Sequence, residues 1–330
     1  RGSYRIPCSL LGMIPLKAVQ AEIVEDQWVY VSGTPVGLYM ETQGVLIVDT
    51  GEITNEKGIT EEPAANIVQP GDYILEVNGK GISRKKELIS EIEKCGGEKV
   101  ELLVNRKGEE IPISLEPVFT QEEEYKLGIW VRDNTQGIGT LTYIDQEGKF
   151  GALGHGISDT DTGELLDVSG GELYQAQIIS IIRGTRGIPG ELSGYIEYEE
   201  DKKIGTIEKN TDIGIFGELF SGMEPSGKKV KIGYKQEVKK GKAQILIELE
   251  GKPEYYDIEI TEIYGSRQDS NKSFQIQVTD PALLARTGGI VQGMSGSPIL
   301  QDGKLIGAVT HVFVQDSSKG YGIFIENMLG

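Results

Sequence analysis

"GMSGSPILQDGKLIGAVTH", residues 293–311, sets a serine beside Gly296, follows it with Pro298, and turns straight back on itself. A serine hydroxyl attacks a carbonyl only when a base takes its proton and donors stabilise the oxyanion. Glycine at 293 and 296 lets the backbone approach a substrate and turn N–H groups inward. Ser295 is therefore the expected nucleophile, and the N–H groups of Gly293 and Ser295 are the expected oxyanion hole. The residues that follow, Ile299 to Phe313, read as two strands turning at Asp302-Gly303, which wedges the serine loop beside the second strand. An α/β-hydrolase elbow needs Gly-x-Ser-x-Gly, and Ser297 breaks that pattern.

The chain has two histidines, so an imidazole base must be His155 or His311. His155, in "GKFGALGHGISD", follows an apolar, Gly-rich strand end and is the expected base. His311 lies in the strand after the serine, and with Thr310 is expected to line the substrate groove. Two carboxylates between His155 and Ser295 compete for the acid's place. Asp212, in "NTDIGIFG", precedes a strand, whereas Asp280, in "QVTDPALLARTGG", lies a short loop before the serine.

At 330 residues the chain is long for one core, and two domains are expected. Glycine numbers 45 and β-branched runs are frequent, which favours strands and tight turns. A net charge of -18 repels phosphate backbones and anionic lipid surfaces, so nucleic acid is not an expected partner. No stretch approaches the ~20 apolar residues of a membrane span. The start, Arg1-Gly2-Ser3, reads as an expression scar on a truncated chain. Cys8 and Cys95 are too few for a disulfide framework and read as two thiols, with pairing left open. "DTDTG", residues 159–163, has the alternating carboxylates of a calcium loop but misplaces its glycine and lacks the closing glutamate, so it reads as a solvated turn. No metal and no cofactor is expected.

Along the chain, residues 1–25 carry no clear pattern and form an N-terminal segment. "WVYVSG" and "GVLIVDTG" then read as strands, Pro63-Ala64-Ala65 as a helix start, "YILEVNG" as a strand, and Ser83 as the cap of an amphipathic helix through Leu88 and Ile92. This succession over residues 26–118 resembles a PDZ domain. The resemblance implies a Gly-Leu-Gly-Phe-like loop that holds a peptide carboxylate, matched by Gly37, Leu38, Tyr39 and Met40. Tyr39 replaces a glycine there, which leaves strand addition or docking on the peptidase domain as the expected mode. "TQEEEY" marks an acidic linker at 119–126, and 127–330 reads as a β-barrel or sandwich domain with "GGELYQAQI" and "DPALLARTG" as its main helical stretches.

The serine loop resembles the Gly-Asp-Ser-Gly-Gly-Pro loop of chymotrypsin-like proteases, with Met294 and Ser297 departing from it. "GALGHGISD", "IPGELSG", "EKNTDIGIFG", "VTDPALLARTGGIVQGMSGSPI", "GAVTHVF" and "GYGIFIENML" together resemble the stage IV sporulation protein B (SpoIVB) peptidase family over nearly the whole chain. The resemblance implies a mainly β protein, an α+β PDZ domain followed by a trypsin-like double β-barrel serine peptidase domain. It also implies a triad of His155, Asp280 and Ser295, although chain topology alone favours Asp212. It implies a membrane-anchored endopeptidase, secreted from the forespore into the intermembrane space. There it would cleave itself and a membrane-protein regulatory complex in spore-formation signalling. The competing reading is a catalytically inactive peptide-binding scaffold.

Overall fold

Short strands with alternating burial and glycine turns build nearly all of the protein. The computed structural model describes residues 3–10, 13–15, 18–22, 25–222, 227–264 and 271–329. In a first barrel, Pro35–Thr50, Val168–Ile182, Lys203–Thr211, Gly214–Leu219, Lys149–Ala152 and Ile129–Ile144 pair in that order, and the last pairs back with the first. Val36, Leu38, Met40, Leu141, Phe150, Leu173 and Ile215 fill it. A second closed barrel joins Gly241–Glu248, Pro253–Ile263, Phe274–Val278, Asp316–Phe324, Lys304–Phe313 and Pro298–Gln301. Its core includes Ile245, Ile258, Phe274, Ile299, Val309 and Met294.

The strands Pro35–Thr50 and Ile129–Ile144 are each 16 residues long, on the order of 50 Å, and no single small barrel uses that length. Their barrel ends pair Pro35–Glu41 with Thr140–Asn134. Their outer ends pair Leu46–Thr50 with Arg132–Ile129, and Val45 and Leu46 also pair with Ile74 and Tyr73. Tyr73–Val77, Val100–Arg106, Glu109–Leu115 and the helix Lys85–Lys94 complete an α+β module around Val45, Ile47, Ile74, Leu88, Ile92 and Leu102. The chain thus enters the module on one barrel strand and leaves it on another. Gly44 marks the crossing point: its φ is +88°, and a Cβ there would lie 2.4 Å from the Ile74 carbonyl oxygen, so only glycine fits.

The PDZ-like module is therefore inserted into the first barrel and does not precede it. Trp28–Val31, expected in the module, pairs with Tyr143 and Ile144 of the barrel. Gly37, Leu38, Tyr39 and Met40, expected as the peptide-carboxylate loop, are barrel strand: they pair with Ile138–Thr135 on one side and Tyr174–Gly171 on the other. Both edges being taken, this stretch has no backbone left for a peptide. Alternation of apolar residues looks the same in a barrel as in a PDZ sheet, which is why the sequence misplaced it.

Smaller expectations shift as well. "GGELYQAQI" lies in the strand Val168–Ile182, not in a helix. The acidic run is no free linker, because Val118–Phe119 pairs with Tyr125–Lys126 and the acidic residues make the turn. The helix caps at Arg84, with the Glu87 carboxylate accepting from the N–H groups of Ser83 and Arg84. "DTDTG" is a structural turn: Asp159 is buried, pairs with Arg132 and accepts from the N–H groups of Asp161 and Thr162. Cys8 and Cys95 are free thiols.

Leu38 is 1% exposed in the barrel core. Leu38→Ala should destabilise the protein by about 3 kcal/mol, as for a truncated core leucine, measured by urea unfolding. A loss within the few tenths of a kcal/mol usual for an exposed loop would return this residue to a ligand-binding loop.

Candidate active site

Five consecutive carbonyls hold the serine loop. The Gln292 oxygen accepts from the Leu192 N–H (2.8 Å), Met294 from the Ser297 N–H (2.9 Å), and Ser295 from the Thr140 N–H (3.1 Å). The Gly293 oxygen accepts from the Thr140 hydroxyl (2.8 Å) and the Gly296 oxygen from the Thr142 hydroxyl (2.7 Å). In a trans peptide the N–H points opposite to the C=O. Tying down the Gln292 and Met294 oxygens therefore turns the N–H groups of Gly293 and Ser295 the other way. Among the described residues neither N–H makes a hydrogen bond, which is the state required of oxyanion donors. Met294 sits fully buried in the second-barrel core. Gly296 has φ +95°, and a Cβ there would meet the Thr140 oxygen at 2.1 Å.

Ser295 stands on this platform with its hydroxyl donating to the Thr310 carbonyl oxygen at 2.8 Å. Ser297 is buried behind the loop and its hydroxyl has no partner among the described residues, so it is not the nucleophile. The Thr310 hydroxyl donates to the Asn271 oxygen (2.8 Å), and the Asn271 amide donates to the Asp212 backbone oxygen (3.0 Å). The two barrels meet along that chain of contacts.

His155 follows two residues in the left-handed region, Leu153 at φ 66° and Gly154 at φ 70°. The former is an uncommon conformation for leucine. A Cβ on Gly154 would meet Thr310 and Ile323 methyls at 3.0 Å, so glycine lets the His155 loop approach the second barrel. His155 Nδ1 is 2.8 Å from the Gly156 carbonyl oxygen. A carbonyl can only accept, so Nδ1 carries the proton and Nε2 is left as the acceptor. Its ring lies 5.1 Å, centroid to centroid, from that of His311. Burial pushes the His155 pKa below the ordinary histidine value, with the Gly156 carbonyl opposing it. Burial first, then the charges of His155 and Lys272, push His311 down to about 4. Both imidazoles are neutral at pH 7. Of the two residues expected to line the groove, Thr310 accepts the hydrogen bond of the Ser295 hydroxyl through its carbonyl and His311 packs beside the His155 ring.

Asn210 was not singled out from the sequence. Its side-chain oxygen accepts from the Ile157 N–H, and its amide donates to the oxygens of Ile157 and Leu166, all at 2.8 Å. It fixes the loop just after His155, and its place two residues before Asp212 in "NTD" was the available signal.

Among the described residues the carboxylate of Asp280, the acid inferred from resemblance, makes no hydrogen bond to either histidine, and neither does that of Asp212. Asn271, beside Thr310, precedes the strand Phe274–Val278, and Asp280 follows that strand's far end. Five strand residues span about 16 Å. Asp280 caps the helix Pro281–Thr287, accepting from Ala282 (2.8 Å) and Leu283 (3.1 Å), and also from the Asp257 N–H (3.2 Å). Its "TDP" context is a helix start, with Pro281 at the first helical position. Asp212 is exposed, one residue beyond Thr211, whose oxygen would lie 2.6 Å from a Cβ on Gly156.

A second concavity, about 830 Å³, lies on the inserted module between the helix Lys85–Lys94 and residues 125–131, with Leu88, Ile89, Ile92, Leu127 and Trp130 on its walls. Trp130 is 66% exposed there.

A family model described as SpoIVB peptidase S55 matches residues 123–329. No curated protein matches the chain. Among solved structures, the Rv3671c protease from M. tuberculosis in its active form is similar at 14% identity, covering 59% of this chain and 72% of that one, with a TM-score of 0.35. Its inactive form is similar at 14% identity over 58% and 81%, TM-score 0.31. The PDZ domain of an SdrC-like protein from Listeria monocytogenes is similar at 18% identity over 34% of this chain and 93% of that one, TM-score 0.20.

Protonating His155 would remove the acceptor on Nε2, and its lowered pKa moves that event to more acidic pH. The acid limb of kcat/KM should therefore have its midpoint below the usual histidine value of about 6.5. A pH–rate profile with a midpoint above that value would contradict the buried, carbonyl-bonded setting of the base.

Proposed function

The chain belongs to the SpoIVB peptidase S55 family, and from that premise we propose that this serine peptidase is an endopeptidase working through Ser295 and His155. The observation that carries the reading is the pair of unbonded N–H groups, Gly293 and Ser295, held beside the Ser295 hydroxyl. A rotation about the Ser295 Cα–Cβ bond takes the hydroxyl from the Thr310 oxygen toward His155. Nε2 accepts its proton as Oγ attacks the peptide carbonyl, and the developing oxyanion is met by the two N–H groups. The imidazolium then gives its proton to the departing amine, and water enters by the same route to release the acyl group.

For the acid of the triad, the reading is Asp212. Its backbone is bonded to Asn271, its neighbour Thr211 abuts Gly156, and Asn210 pins the same loop. The inserted module would take an extended peptide against the strand Ile129–Val131 and the helix Lys85–Lys94, adding a strand to that edge. Spore-formation signalling by self-cleavage and cleavage of a membrane-associated regulatory protein, by a membrane-anchored enzyme in the intermembrane space, rests on family membership alone.

The Ser295–Thr310 bond favours a second reading, an inactive peptide-binding scaffold, because the hydroxyl is not on the histidine. A fluorophosphonate separates the two. Labelling of the wild-type protein that vanishes in Ser295→Ala supports the peptidase, and an unlabelled wild type supports the scaffold. For the acid, Asp212→Asn should lower kcat by more than tenfold, up to the roughly 10⁴-fold of the worked serine-protease case. Asp280→Asn keeps a good helix cap and should leave kcat within a few-fold. The reverse pattern in folded proteins would reinstate Asp280.

A further inference from the structure

The strand Ile129–Ile144 belongs to the first barrel, yet Thr140 and Thr142 do not face that barrel's core. Side chains alternate along a strand: Leu141 enters the first-barrel cluster, while the hydroxyls of Thr140 and Thr142 bond to carbonyls of the serine loop on the second barrel. Both threonines are at most 1% exposed. An apolar β-branched residue would fill such interior positions without needing a partner, so a hydroxyl here requires a reason. The reason is geometric. The Thr140 hydroxyl holds the Gly293 oxygen, the Thr140 N–H holds the Ser295 oxygen, and the Thr142 hydroxyl holds the Gly296 oxygen. The 293–294, 295–296 and 296–297 peptide units are thereby held from the first barrel, and the unit between Met294 and Ser295 lies between two of them. Met294, apolar and buried, offers no charge for an ion pair that could do this from within the loop.

We propose that Thr140 and Thr142 are positioning residues that clamp the oxyanion hole across the interface between the barrels, so that the catalytic loop is aligned only when both barrels are docked. The proposal rests on the serine peptidase reading for its effect on turnover but not for its effect on the loop. Without the Thr140 hydroxyl the Gly293–Met294 peptide keeps only the bond from the Met294 N–H to the Val291 oxygen (3.1 Å), and the adjoining Gly293 N–H, held through the Gln292 oxygen alone, loses part of its aim. Losing one oxyanion donor costs roughly 10²–10³ in kcat.

The test compares Thr140→Val, which keeps shape and removes the hydroxyl, with Thr140→Ser, which keeps the hydroxyl. Thr140→Val should lower kcat about 100-fold with KM within about twofold, weaken a peptide boronate in parallel with kcat, and leave the affinity of a product peptide unchanged. Thr140→Ser should recover kcat to within a few-fold. Independently of turnover, hydrogen exchange of amides 293–297 should accelerate about tenfold or more in Thr140→Val. A folded Thr140→Val protein with normal kcat, or with unchanged loop exchange, overturns the clamp. So does a loss of kcat that Thr140→Ser fails to recover, which would make the threonine a packing residue. If Thr140→Val does not fold, Thr142→Val carries the same readouts. Faster loop exchange in a protein whose wild type takes no fluorophosphonate keeps the clamp and rejects the peptidase reading.

Discussion

Everything in the site depends on the rotation of five peptide units, Gln292 to Gly296. Each carbonyl is held by one donor, and the donors come from three places: Leu192 on the strand Glu191–Ile196, Ser297 in the loop itself, and Thr140 with Thr142 on the first barrel. A single neutral hydrogen bond contributes only about 1 kcal/mol net, so no one contact explains the loop. Their combined effect is directional. With the carbonyls committed, the two remaining N–H groups have one direction left, and preorganised donors of that kind need no reorganisation when charge develops.

The same dependence explains why the module is inserted where it is. The strands Pro35–Thr50 and Ile129–Ile144 leave the barrel as a continuous pair, so the module's sheet extends the barrel's own. One of these strands carries the threonines that hold the serine loop, and at its other end Arg132 pairs with Asp159 and Asp161 in the turn after His155. The base and the serine loop are thus both tied to one strand, at points eight residues apart. Inserting a domain at that strand costs little closure entropy, because its two connections are already neighbours in a ladder.

The serine loop, the histidine and the β-rich character could be read in the sequence, because each is a local pattern whose chemistry fixes its meaning. Gly296 illustrates this: the motif requires a glycine, and the structure shows a carbonyl where its Cβ would be. What could not be read was non-local. Gly37 to Met40 alternate as any strand does, and nothing in that stretch says that both its neighbours lie about a hundred or more residues onward. Asp280 is ambiguous for a different reason. "TDP" is equally a helix start and a loop offering a carboxylate, and only the structure shows the helix N–H groups bonded to it. Thr140 and Thr142 were invisible because a threonine in a strand is unremarkable until its face is known.

The serine hydroxyl rests on a backbone carbonyl, a neutral bond worth about 1 kcal/mol, so a bound substrate need supply only a small bias to turn it. The base is neutral, since burial disfavours its charged form, and its proton is already placed on Nδ1 by Gly156. That arrangement is well suited to accepting a proton and poorly suited to keeping one, because a carbonyl stabilises an imidazolium less than a carboxylate would. His311, buried against the same ring with Nδ1 unpartnered among the described residues, adds no compensating negative charge. In the proposed reaction the His155 imidazolium would therefore be the least supported species in the site. A carboxylate brought to it, or the prompt loss of its proton to the leaving amine, is what the remaining chemistry must provide.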